Sequence, residues 1–164
     1  MLIKANYESP IGSMIILADA ENLLGLWFEG QRNFGGRENL DLVLIQENKI
    51  THQVKNWLDQ YFAGDFQDLA AIPLKFQLTE FQQRVVSVLL QVPVGQTISY
   101  SKIATQLGQA GHRTSPRAVG NAVARTPFLI LVPCHRVVGN DGSLTGYAAG
   151  IAKKKWLLAH ESKH

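Results

Sequence analysis

Cysteine is nearly absent from this chain: Cys134 is the only one in 164 residues. A single thiol excludes any disulfide within the chain, and it cannot build a zinc finger or ribbon when the five histidines are mostly scattered. Long apolar runs are missing as well, so no segment approaches the roughly 20 residues that a membrane-spanning helix needs. The start, Met1-Leu2-Ile3-Lys4-Ala5-Asn6, is too short and too polar for a secretory signal. There is no internal repeat and no low-complexity tract. With 46% hydrophobic and 18% charged residues the composition is that of a soluble globular protein, enough for one ordinary domain or two small ones. A reducing, cytoplasmic setting is expected, where a free thiol survives.

That thiol sits in Pro133-Cys134-His135-Arg136-Val137. A lone cysteine after the apolar run Phe128-Leu129-Ile130-Leu131-Val132 is compatible with a small buried filler. Its neighbours argue for chemistry. Histidine and arginine are costly to place in a core, and a positive setting with a nearby base is expected to lower the thiol below its ordinary pKa of about 8.5 and make it a nucleophile.

Charge is unevenly divided. Residues 1–77 hold six Lys and Arg against ten Asp and Glu, whereas residues 78–164 hold ten against three. A half with net charge +7 that carries the candidate nucleophile points to a polyanionic partner, of which nucleic acid is the usual one. The run Lys153-Lys154-Lys155 reads as a solvated helix face.

The pattern changes at the same place. Met14–Ala18 and Leu23–Phe28 read as a hairpin around Asp19-Ala20-Glu21-Asn22. Ile50, Val54, Trp57, Leu58 and Tyr61 then repeat at helical spacing up to Gly64. Hairpin and helix can cover each other as a small α+β domain over 1–77, with Pro73 to Leu78 as linker. From 78 to 164 the chain reads mainly as helices. Thr79 with Gln82 makes a capping box; Ser101 is expected to cap a second helix that stops at Gly108; Ser115 caps a third with Pro116 in its first position. That third helix has small side chains apart from Arg117 and Arg125, so its backbone can approach a partner closely, and the two short helices form a helix-turn-helix. A buried strand at 128–132 is expected before the cysteine, then a hairpin through Gly139-Asn140-Asp141-Gly142, then a last helix from about Ile151 that carries Glu161 near its disfavoured C-terminal end.

These motifs together resemble the O6-alkylguanine-DNA alkyltransferase family along nearly the whole chain. The match rests on Pro-Cys-His-Arg-Val at 133–137, Gly146-Tyr147, Lys155-Trp156-Leu157-Leu158-Ala159-His160-Glu161, Arg-Ala-Val-Gly at 117–120 and Ile98-Ser99-Tyr100. More weakly, Phe62-Ala63-Gly64 and Pro10-Ile11-Gly12 match the family's N-terminal domain. The resemblance implies a ribonuclease H-like N-terminal α/β domain, then a winged-helix-like, mainly helical DNA-binding catalytic domain. It implies that Cys134 accepts the alkyl group in one irreversible displacement, with His135 as base through a water and Glu161 holding the imidazole. Tyr100 would protonate the leaving guanine, Tyr147 would wall the pocket, Val137 and Ala148 would hold the base edge, and Ala149 would border the alkyl group. Arg117 would enter the duplex as the nucleotide flips out, with Ala118, Gly120, Asn121, Arg125 and Arg136 on the DNA side, the recognition helix lying in the minor groove. No cofactor, no metal and no membrane are implied, and the protein is expected to act as a monomer on double-stranded DNA.

Three positions depart from the family pattern. Thr126 replaces the asparagine usual eight residues before the cysteine, Ala148-Ala149 replaces a pair ending in glycine, and Gln109 to Ser115 is longer than in some relatives. Two other readings remain at this point. His160-Glu161-Ser162-Lys163-His164 matches the zinc-protease pattern H-E-x-x-H, and a helix-turn-helix protein that only binds DNA would leave Cys134 as filler.

Overall fold

The computed structural model describes residues 1–36, 38–69 and 71–163. The chain divides into two compact units, Met1–Gln77 and Leu78–His164.

In the first unit, β1 (Ile3–Ser9), β2 (Gly12–Ala18), β3 (Leu23–Phe28) and β4 (Leu44–Ile45) form one sheet in the order β3-β2-β1-β4. The β2–β3 hairpin is antiparallel, and Ile15 faces Trp27 across it. Its turn is fixed by Asp19, whose carboxylate accepts from the N–H groups of Glu21 and Asn22 at 2.8 and 2.7 Å. One face packs Ile15, Leu17, Leu24, Trp27 and Leu40 into a cluster. The other is covered by α1 (Lys49–Phe62), which lies on β1 and β2 and buries Ile50, Val54, Leu58 and Tyr61. Asn48 and Thr51 cap α1 reciprocally, so the helix starts where its periodicity starts.

β1 was not anticipated as a strand, although Ile3, Ala5 and Tyr7 alternate with Lys4, Asn6 and Glu8 in the period-two pattern. The start of the expected linker is also paired: Leu23 donates to Pro73 O at 2.7 Å, and Lys75 donates to Leu23 O at 2.8 Å.

In the second unit, α2 (Glu80–Leu89), α3 (Tyr100–Gln109) and α4 (Pro116–Ala124) pack on one another through Val85, Leu89, Ile103, Leu107 and Val119. Each such side chain, fully buried, contributes about 1.5–3 kcal/mol of transfer free energy. The two-residue strand β5 (Ile98–Ser99) runs straight into α3 and pairs in parallel with β6 (Val137–Val138). The helix α5 (Ile151–Ser162) packs on the cysteine turn.

Local chemistry moves several expected boundaries. α3 is capped by Ser99, whose hydroxyl accepts from the Lys102 N–H, and not by Ser101. It runs past Gly108 because that position is helical. The stop is Gly111, at φ +91°, where His112 donates to Leu107 O and Gly111 to Gly108 O in the hydrogen-bond pair of a Schellman cap. Segment 128–132 is not a regular strand. Leu131 donates back to Leu129 O at 2.8 Å across Ile130, which has φ +69°. A positive φ at a β-branched residue costs on the order of 1–3 kcal/mol and persists only where the surroundings enforce it. The Gly139–Gly142 turn forms, but Ser143 to Thr145 do not continue as a strand.

Candidate active site and DNA-facing helix

The cysteine turn is built by two consecutive tight bends. After Ile130, Cys134 donates to Val132 O at 2.7 Å across Pro133, whose φ −79° and ψ 56° are those of an inverse γ-turn. The proline ring presets that φ. Cys134–Arg136 then form one 3₁₀ turn, closed by the Val137 N–H to Cys134 O. Cys134 and His135 are therefore successive residues of a helical turn, not of an extended chain. The β5–β6 pair sets Ile98 against Val137, which brings Tyr100, the first residue of α3, to the same place.

His135 and Arg136 are in the core after all, because Glu161 reaches both from α5. His135 Nε2 lies 2.6 Å from one carboxylate oxygen; Arg136 Nε donates to the other at 2.7 Å, and Arg136 Nη1 donates to Val92 O at 2.6 Å. Glu161 and Arg136 cancel each other's charge, which makes burial tolerable. Burial alone would raise the Glu161 carboxyl, but the hydrogen bonds and charges of His135 and Arg136 outweigh it and hold it down at about 2. Burial pushes His135 below its ordinary value against the pull of Glu161, so the imidazole is neutral at pH 7. With Glu161 ionised, Nε2 carries the hydrogen and donates to it, which leaves the lone pair on Nδ1. That Nδ1 is buried and has no protein partner among the described residues.

The thiol behaves differently from the sequence expectation. Burial pushes Cys134 up to about 12, although the Lys154 charge, backbone N–H groups and the Tyr147 hydroxyl all pull the other way. Desolvation of the thiolate outweighs the positive setting, so the resting group is a neutral thiol. Tyr147 stands edge-on to His135, with ring centroids 6.5 Å apart. Tyr100 is raised by burial above all, with a further push from Cys134, and its hydroxyl donates to Thr145 O at 3.3 Å. The hydroxyl of Thr126, a buried residue, has no partner among the described residues. Val137 is buried, with its N–H committed to the cysteine turn, while Ala148 and Ala149 are half-buried between Tyr147 and Gly150.

On α4, Arg117, Asn121 and Arg125 share an exposed face at spacings of four, and Ala118 and Gly120 are half-buried. Neither arginine makes a salt bridge among the described residues. Arg136 does not belong with them: its guanidinium is consumed inside the protein by Glu161 and Val92 and is not presented to DNA. Lys154 was missed. It is 0% exposed, with Nζ donating to Thr145 O at 2.8 Å and Gly146 O at 3.0 Å. Its spacing of three and seven from Leu157 and Glu161 puts it on their buried face, a signal hidden by reading the lysine run as solvated.

Glu161 has both oxygens engaged by His135 and Arg136, which removes it from the role of a zinc-protease base. His164, the last residue of that pattern, lies outside the described residues. No group of three metal-binding side chains occurs among the described residues. Nor is any described helix long and apolar enough to cross a membrane.

A neutral buried thiol beside an imidazole oriented by a carboxylate, in a helical unit with an exposed basic helix, defines a cysteine-dependent transfer protein of the DNA-handling class. Comparison with known proteins agrees. Residues 2–76 match the ribonuclease-like domain, and residues 80–163 the DNA binding domain, of 6-O-methylguanine DNA methyltransferase. The methylated-DNA–protein-cysteine methyltransferase of Mycobacterium leprae is 41% identical over 157 residues, covering 96% of this chain and 90% of the relative. That of Methanosarcina acetivorans is 35% identical, covering 96% of each. The crystal structure of Mycobacterium tuberculosis OGT in complex with DNA superposes with a TM-score of 0.85 at 35% identity, covering 98% of this chain and 93% of that one. The chain belongs to the 6-O-methylguanine DNA methyltransferase family, and its mixed α+β architecture is the family's.

Proposed function

We propose that this protein repairs DNA by moving an alkyl group from guanine O6 to Cys134, consuming itself in a single turnover. The observation that carries the reading is the array Cys134, His135 and Glu161, with Nδ1 of His135 holding an unused lone pair. In this reading the thiol proton passes through a water to Nδ1, and the imidazolium that forms is balanced by Glu161. The sulfur attacks the alkyl carbon, the carbon–O6 bond breaks, and its electron pair stays with the guanine. Tyr100 gives the guanine its phenolic proton and is reprotonated from His135 through solvent. The net change is one S–C bond for one O–C bond, with the thiol proton ending on the base. A thiol neutral at rest is useful to a single-use protein, because stray electrophiles find no thiolate.

DNA is the partner, bound through Arg117, Asn121 and Arg125, with Ala118 and Gly120 allowing close approach to the minor groove. Arg117 supports the stack when the nucleotide is extruded into the pocket walled by Tyr147, Val137, Ala148 and Ala149. The protein acts as a monomer, without cofactor, in a reducing cytoplasm. A DNA-binding module alone would have no use for the buried array.

The test is intact mass after incubation with duplex DNA containing O6-methylguanine. One methyl group per chain, located on Cys134 and absent in Cys134→Ser, is expected. Repeated turnover, or a methyl group elsewhere, would overturn the reading.

A further inference from the structure

We propose that Lys154 is a positioning residue of the transfer reaction: its buried ammonium holds the Thr145–Gly146 backbone that seats Tyr100 and Tyr147, and supplies the charge facing the Cys134 sulfur. The inference rests on the alkyl-transfer reading above.

Three observations bring it about. First, Lys154 is fully enclosed, whereas Lys153 is half-buried and Lys155 is exposed on the same turn of α5. Lysine is almost never fully buried unless paired, and no carboxylate lies within ion-pair reach of this one among the described residues. Two of its three N–H donors go to adjacent carbonyls, Thr145 O and Gly146 O. Second, Thr145 O is the same oxygen that accepts from the Tyr100 hydroxyl. The residue after Gly146 is Tyr147, which stands edge-on to His135 and whose hydroxyl is among the groups that oppose the rise of the Cys134 thiol. One ammonium thus fixes the segment from which both tyrosines take their positions at the thiol. Third, its counter-charge does not yet exist in the resting protein. Burial lowers Lys154 to about 8, and the group that pulls it back is Cys134. Reciprocally, Lys154 is foremost among the influences that oppose the rise of the thiol. A cation held without an anion, beside a sulfur that turns negative during reaction, is an arrangement in which charge stabilisation appears on the way to the transition state.

The titratable groups that face Lys154 are Cys134 and His135 on the cysteine turn and Tyr100 at the shared carbonyl; Glu161 and Arg136 are engaged with each other and with His135. The rate should fall at acid pH as His135 takes up a proton, stay level through neutrality, and fall again above about 8 as Lys154 loses its proton.

The experiment measures single-turnover methyl transfer from O6-methylguanine duplex at saturating DNA, from pH 6 to 9.5, for wild type, Lys154→Met and Lys154→Arg, with DNA affinity and melting temperature alongside. Lys154→Met should slow transfer by about 100-fold, in the range found for a lost preorganised donor, with unchanged DNA affinity and a melting temperature no lower than wild type. Its alkaline limb should vanish. Lys154→Arg, which stays charged, should recover part of the rate and also lack that limb. A Lys154→Met protein with the wild-type rate overturns the proposal, as does a slow one that keeps the alkaline limb and gains nothing from arginine. Should Lys154→Met fail to fold, a wild-type profile level to pH 9.5 still overturns it. Wild type that transfers no methyl at all sinks the alkyl-transfer reading itself; wild type that transfers normally while the variants miss these outcomes sinks only the role of Lys154.

Discussion

Glu161 is the residue on which the site turns, because it offsets two buried neighbours at once. Its carboxyl is held at about 2 in the folded chain, against about 4.5 when exposed. A carboxyl lowered by folding adds stability above its unfolded value and loses it as pH falls toward the folded one. The shift corresponds to about 3 kcal/mol, present at neutrality and eroded between pH 4.5 and 2. His135 acts in the same direction, since a histidine whose protonation is opposed by burial begins to cost stability below its ordinary value. Glu161→Gln leaves Arg136 buried without its anion, so it should destabilise the protein by about 3–5 kcal/mol at pH 7 in denaturant titrations and flatten the acid limb of stability below pH 4.5. A stability loss under 1 kcal/mol would mean that Glu161 is not charged in the folded protein.

At the scale of elements, the helix-turn-helix gives two glycines three positions apart with opposite expected effects. Gly108 is helical and nothing lies where its Cβ would be, so Gly108→Ala should raise stability by about 0.5–1 kcal/mol. Gly111 sits at φ +91° as the cap, so Gly111→Ala should lower it by about 1–2 kcal/mol. Thermal melts of the two variants moving in the same direction would contradict the cap. This pair also shows where the sequence was readable. α1, α2 and α4 carry their caps as side chains, namely Asn48 with Thr51, Thr79 with Gln82, and Ser115 before Pro116, so a local pattern suffices. Ser99 and Ser101 present the same chemistry two residues apart, and only the parallel pairing of Ile98 with Val137 selects the first. The stretch 128–132 is apolar throughout and reads as a strand, yet its neighbours enforce a tight bend at Ile130 that no propensity encodes. Cys134 was visible as a singular residue. The burial that makes it a neutral thiol and Arg136 an internal ion-pair partner depends on α5 folding back from 25 residues away.

For the molecule as a whole, charge and chemistry are divided between the two halves of the chain, and the division sets what binding should look like. The unit from residue 78 holds ten basic residues against three acidic ones, and the internal pair of Arg136 with Glu161 removes one of each, leaving the excess unchanged. Two of those basic residues, Arg117 and Arg125, lie on the exposed face of α4, which has no carboxylate in its first turn. Phosphate contacts of this kind release counterions, so affinity for duplex DNA should fall steeply with salt and vary little with sequence. A salt-independent affinity measured by titration would rule out this face as the contact surface. Within that background the proposed reading gives Arg117 a separate part: it is exposed in the first turn of α4 beside half-buried Ala118, and it would fill the gap that a flipped nucleotide leaves in the stack. Single-stranded DNA has no such stack to support. Arg117→Ala should therefore cut methyl transfer from a duplex by about 10-fold or more, the order of a lost contact of 1–3 kcal/mol, and cut transfer from a single-stranded substrate far less. Equal losses on both substrates would reduce Arg117 to one more phosphate contact, whereas a loss confined to the duplex assigns it to the gap.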